Sequence, residues 1–258
     1  MQTTDKILRT QPADRVVRAA GALYLLLVVT SIFGFVTPQT LIVAKDATAT
    51  AHNILASETL FRLAIVSGLI ATIAFVFLAR ELYRLLRDVN ERQASLMVLL
   101  VFISIPISFL GALNEIAALR LIHGGPALSG LGTSQVNALA TFFLSLSSDT
   151  SALNSIFFGL WLFPFGLLVI KSGFIPRILG YLLIIAGGSY LVGSLTFLLS
   201  PPFANVVSTI ATVGYVGELG VVGWTGGQSR QGAIRRGQLE VITNDSIHDS
   251  KLEGGTTW

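Results

Sequence analysis

Cysteine is absent from the 258-residue chain, and charge is scarce: 12% of the residues are Asp, Glu, Lys or Arg, against roughly a quarter in soluble domains. The first absence excludes disulfides, thiolate nucleophiles, iron–sulfur clusters and Cys-ligated zinc. The second, together with 52% hydrophobic residues and a mean hydropathy of +0.73, leaves too little polar surface to cover a water-soluble fold. Histidine is rare as well. His52, His123 and His248 lie far apart and form no His-Glu-x-x-His spacing, so nothing marks a metal or haem site. The 25 glycines build neither a Walker-type loop nor a dinucleotide fingerprint, and no cofactor is expected. A net charge of +3 could attract nucleic acid, but the basic residues lie between apolar runs and form no continuous face, so nucleic acid is not an expected partner.

What the chain has instead is long apolar runs, and a helix of about 20 such residues crosses a bilayer. Six are present, at about 19–36, 60–82, 94–118, 152–170, 178–199 and 203–224. The expected fold is all-α: a polytopic membrane protein, with residues 19–224 forming a bundle of six transmembrane helices. Residues 1–18 precede it, and 225–258 form a polar tail without apolar periodicity, the composition of a disordered segment. Pro38 is expected to stop the first span, while Pro106 and Pro164 kink the third and fourth. In lipid a kink is tolerated when neighbouring groups satisfy the freed carbonyl, a part that Ser104 and Ser108 suit. Between the first two spans Asp46 can cap a short helix. The segment 119–150 is rich in Gly, Ser and Pro and reads as an exposed loop, with a helix lying on the surface at 136–146. Lys171-Ser-Gly173-Phe174-Ile-Pro176-Arg177 is a tight basic turn that fixes spans four and five as a hairpin.

Of the 17 Lys and Arg residues, only Lys45, Arg62 and Arg120 fall outside if the N-terminus is cytoplasmic. The positive-inside rule therefore puts both termini in the cytoplasm and the protein in the cell (inner) membrane.

Asn53-Ile-Leu-Ala-Ser-Glu58 followed by Leu60-Phe61-Arg62, Phe157-Phe158-Gly159-Leu160-Trp161, the turn from Lys171 to Gly180, and Gly217-Glu218-Leu219 resemble the domain-of-unknown-function 4386 family, small bacterial polytopic membrane proteins. The resemblance covers most of residues 15–224 and implies the membrane fold. It implies no activity. Members of that family tend to continue apolar past the Gly-Glu-Leu motif, whereas this chain turns polar at Gly226.

Two groups of residues are candidates for binding a ligand or a proton. Glu218 falls in the inner half of the last span, where a carboxylate costs about 2.5–3.5 kcal/mol on insertion scales. It would serve as a relay or ligand anchor, or hold the bundle together through Tyr190 or Tyr215. Near the outer ends of spans two and three stand Glu58, Arg62, Asn114 and Glu115, with Arg120 and His123. Glu58 and Arg62 can pair at i,i+4, and Arg62 can meet Glu115 between helices. This group reads as a polar mouth or as an interfacial ion-pair belt. Ser147, Ser148, Asp149 and Asn154 sit where the fourth span is expected to open and are explained by capping. Small residues at Gly21, Ser67, Gly68, Ala71, Gly187, Gly188 and Gly193 suit close helix packing.

The expected function is accordingly non-enzymatic: binding or passing a small molecule or proton through a polar cavity reaching Glu218. An accessory protein whose small-residue faces meet a second copy or another membrane protein is the alternative, and an intramembrane enzyme a further one, for which no acid–base set is visible.

Overall fold

The computed structural model describes residues 14–199. The expected sixth span, Glu218 and the polar tail lie outside the described residues. Six α-helices follow one another: α1 (Asp14–Leu41), α2 (Ala47–Ala56), α3 (Glu58–Leu86), α4 (Glu91–His123), α5 (Thr133–Ser172) and α6 (Arg177–Leu199), with a 3-10 turn at Pro126–Leu128. There is no strand among the described residues. All helices but α2 are long and apolar enough to cross a membrane, and the chain is a polytopic helical membrane protein.

Two helices run further than the local sequence suggests. Pro38 lies inside α1, which ends only at Leu41. Proline lacks the N–H that the Gly34 carbonyl would receive, a loss that membrane helices tolerate. The segment expected to hold an exposed loop, a surface helix and then a span is instead one 40-residue helix, α5. Its start is marked by Gly132, whose N–H donates to Gln135 Oε1 at 2.9 Å. At the other end Gly173, at φ +74°, takes the left-handed conformation that closes a helix at low cost only for glycine. Residues 173–176 then complete the turn into α6. Asp46 does cap α2, its Oδ1 accepting from the Ala49 N–H at 2.8 Å.

The helices pack in the order α1, α3, α4, α5, α6, with α4 against α5 the most extensive interface and α2 laid against α5. Glycines set the closest approaches. A Cβ on Gly34 would stand 2.8 Å from the Gly68 nitrogen, and Cβ atoms on Gly159 and Gly166 would stand 2.8 Å and 2.7 Å from the carbonyls of Gly187 and Gly180. The α5–α6 hairpin is thus zipped by two glycine pairs seven residues apart on each helix. Small residues allow this backbone contact where lipid supplies no hydrophobic drive to associate.

Two apolar cores result. The larger, toward the tight turns, joins Tyr24, Leu78, Met97, Trp161, Phe165 and Leu183 from all five long helices; Trp161 stacks on Phe165 at 5.2 Å and meets the edge of Phe75 at 5.0 Å. The smaller, toward α2, contains Leu41, Ile54, Phe61, Ala118 and Leu144. Outside the cores, exposed large apolar side chains run from Leu60 to Phe77 on α3 and from Leu96 to Leu113 on α4. Each stretch is about 25 Å long at roughly 1.5 Å per residue. Since α3 and α4 are antiparallel neighbours, the two stretches form one belt facing lipid.

Candidate functional site

Between the two cores the packing is interrupted by a cavity of about 180 Å³, bounded by α1, α3, α4 and α5. It has room for about six waters at roughly 30 Å³ each. Two helical stripes of polar residues create it. On α4, Ser104, Ser108, Gly111 and Glu115 recur at steps of four, three and four; on α5, Ser147, Thr150, Ser151 and Asn154 recur over two turns, a spacing that places each set on one face. The stripes touch at Gly111, where a Cβ would meet Thr150 at 3.7 Å and Ser147 Oγ at 3.8 Å.

The hydrogen bonds on this wall have a consistent direction. Ser147 donates to Glu115 Oε1 at 3.3 Å, Ser108 to the Ser104 carbonyl at 3.1 Å, Ser151 to the Ser147 carbonyl at 3.0 Å and Thr150 to the Leu146 carbonyl at 2.7 Å. With the Ser108 proton committed, its oxygen accepts, and Asn154 Nδ2 donates to it at 2.8 Å. In the structure the Asn154 amide is placed with its nitrogen toward Ser108. Its Oδ1 is buried and, among the described residues, has no partner, although Asn154 is only 6% exposed. Orphaned buried acceptors are uncommon, and each calls for an explanation. The facing wall is largely apolar: Phe35 from α1 and Phe75 from α3, with Phe158 of α5 stacked on Phe75 at 5.1 Å. Ser31, Gln39 and Thr72 are its polar members.

Of the ligand-binding candidates among the described residues, Glu58, Arg62, Asn114 and Glu115, the last alone lines this cavity. Arg62 does not meet it. The Arg62 Nε donates to Glu58 Oε1 at 2.6 Å, and His123 Nε2 lies 3.1 Å from the same oxygen. Glu58, Arg62 and His123 therefore form one cluster joining the start of α3 to the end of α4. Asn114 is half-buried beside Glu115 and is not part of the cavity wall. Ser147, Ser148 and Asn154 are not caps: they stand in the middle of α5, and all three line the cavity. Nor do the serines beside Pro106 satisfy the carbonyl it frees, that of Phe102; they bond the carbonyls of Val101 and Ser104. No three His, Asp or Glu side chains converge as metal ligands among the described residues.

Sequence reasoning missed Ser108, Ser147, Ser151 and Asn154 as one site. The signal was the pair of helical stripes, legible only once 133–172 is taken as a single helix.

A family model described as Domain of unknown function (DUF4386) matches residues 19–225, and the chain belongs to that family. No curated protein and no solved structure matches it.

Proposed function

We propose that this member of the DUF4386 family is a non-enzymatic, multi-pass protein of the cell (inner) membrane that binds or passes a small molecule through the cavity between α1, α3, α4 and α5. Both termini and the turns at 87–90 and 173–176 face the cytoplasm, the orientation favoured by the distribution of Lys and Arg. The cavity then lies toward the outer face. The observation that carries the reading is the buried, unpartnered Asn154 Oδ1 beside a cavity that also exposes the Glu115 carboxyl. A polar cavity with unmet acceptors is what a ligand site offers and what a purely structural bundle avoids. Two further points support it over the alternatives. The glycines in closest contact, Gly34, Gly159, Gly166, Gly180 and Gly187, meet this chain's own backbone, so they need no partner helix. Glu115 is the single titratable side chain among the described lining residues, so no acid–base pair is assembled there.

The absence of native cysteine makes the test direct. In a Ser151→Cys variant the introduced thiol is unique, and a small water-soluble thiol reagent added outside intact cells should label it. A Ser129→Cys variant in the exposed turn before α5 serves as the positive control. Labelling of the control without labelling of Ser151→Cys would overturn the proposal.

A further inference from the structure

The direction of the hydrogen bonds narrows the ligand's chemistry, given the reading of the cavity as a ligand site. On the α4–α5 wall Ser108, Thr150 and Ser151 donate to carbonyls of their own helices and Ser147 donates to Glu115, while the hydroxyl of Ser148, also on the lining, makes no hydrogen bond among the described residues. Apart from the Ser148 hydroxyl and the second N–H of Asn154, what this wall presents to a ligand is acceptors. Glu115 Oε2 makes no hydrogen bond among the described residues, and Ser151 retains oxygen lone pairs; Asn154 Oδ1 has no partner among the described residues but is itself covered by its neighbours. No Lys, Arg or His is among the described lining residues, so an anion would find carboxyl and carbonyl oxygens and no opposing charge. A ligand that satisfies this wall must bring donors, and one that also complements a carboxylate must bring positive charge.

The other wall says what the rest of the ligand is. Phe35, Phe75 and Phe158, with Ile65, Leu69 and Leu144, give the cavity an apolar side. The volume of about 180 Å³ exceeds what a bare inorganic ion fills and suits a molecule with a short hydrocarbon body. Ring faces at such a site also attract a cation. We propose that the cavity binds a small organic ammonium, its N–H groups taken up by Glu115 and the Ser151 oxygen and its short apolar body lying against Phe35, Phe75 and Phe158.

The test uses the full chain in proteoliposomes, with iodoacetamide as a neutral thiol reagent and protection of Ser151→Cys as the readout. Butylammonium, butanol, butyrate and sodium, each as the chloride or sodium salt where charged, are compared as protectants. The expected result is that butylammonium at about ten times its Kd slows labelling about tenfold, a shift of about 1.4 kcal/mol, while the other three at the same concentration leave it nearly unchanged. Glu115→Gln should abolish the protection and Asn154→Leu should weaken it. Equal protection by butanol would overturn the assignment of charge, and equal protection by sodium would overturn the organic body; in both cases a ligand cavity remains. A thiol that labels freely and is protected by none of the four sinks this assignment alone. A thiol that never labels, with the Ser129→Cys control reactive, sinks the cavity reading beneath it. Because the four protectants are compared on protein that keeps Glu115, the result stands even if Glu115→Gln fails to fold.

Discussion

Replacing Gly166 by alanine adds one methyl group where two helices have no room for it. The new Cβ would stand 2.7 Å from the Gly180 carbonyl oxygen, 2.8 Å from Ile184 Cγ1 and 3.4 Å from the Ile184 nitrogen. The first and third of these are backbone atoms of α6, which cannot rotate aside, so α5 and α6 must separate by a few tenths of an ångström or more along a buried contact. Overpacking of this kind costs about 1–3 kcal/mol. Alanine also gains on glycine in a helix interior, by up to about 0.8–1.0 kcal/mol, and that gain must be removed before the clash can be read. Gly188 supplies the reference. It lies one residue from the contact glycine Gly187 on the same helix, and a Cβ there would meet nothing within 4 Å. Gly188→Ala keeps the propensity gain without the clash, so the gap between the two variants isolates the cost of contact. At about 2–4 °C per kcal/mol for a protein of this size, Gly166→Ala should melt about 2–12 °C below Gly188→Ala in detergent, followed by tryptophan fluorescence. Trp161, stacked in the larger core on α5, is well placed to report. If Gly166→Ala melts at or above Gly188→Ala, the hairpin is not held by glycine contact and the packing account fails.

Gly173→Ala should lower thermal stability by about 1–2 kcal/mol, the penalty for a side chain in the left-handed region, because φ there is +74°; Gly173→Asn should recover part of it. Asn154→Leu removes an unpaired buried acceptor that costs about 1–3 kcal/mol, against about 0.5–1.5 kcal/mol for the lost bond to Ser108, so the unliganded variant should melt no lower than the parent even as its ligand protection weakens, and a clear fall in Tm would argue against the orphaned carbonyl. Glu58→Ala should leave thermal stability within the error of the assay, since Arg62 and Glu58 side chains are 58% and 31% exposed and open ion pairs contribute little. A reporter inserted at residue 130 should be active on the outer side; activity in the cytoplasm would invert the proposed orientation.

How much of this was legible in the sequence differs from element to element. The turn at 173–176 was plain, because Gly173 and Pro176 are the residues that helix ends require and apolar runs flank them. The extent of α5 was hidden by composition. Ser, Thr and Asn over 133–155 resemble a loop, yet in the structure their hydroxyls bond back to carbonyls four residues earlier: Thr141 to Asn137, Ser145 to Thr141, Ser155 to Ser151. Back-bonding of this sort lets a polar segment remain helical. Pro38 looked like a stop because the rule was learned on helices in water. The site was partly visible: Glu115 was named within the polar group at the outer ends of spans two and three, but its partners could not be chosen. Arg62 was the electrostatic guess, whereas Arg62 has a nearer carboxylate one turn away on its own helix, in Glu58. Ser147, thirty-two residues distant in sequence, becomes a neighbour only through the α4–α5 crossing.

The apolar belt on α3 and α4, about 25 Å deep, is shallower than the roughly 30 Å hydrocarbon layer of an average bilayer. On the α3–α4 face lipid must therefore thin or rise past the belt's edge, whereas on α6 the exposed apolar side chains from Ile178 to Leu199 span about 31 Å and match the layer. Glu115 stands two residues beyond Leu113, where the belt on α4 ends. This part of the cavity wall thus lies at the level that a change in acyl-chain length moves. The surroundings of Glu115 should depend on the membrane as well as on the protein: short-chain lipids leave it at the water interface, and long-chain lipids draw it beneath the hydrocarbon surface, at a cost of fractions of a kcal/mol per ångström of mismatch.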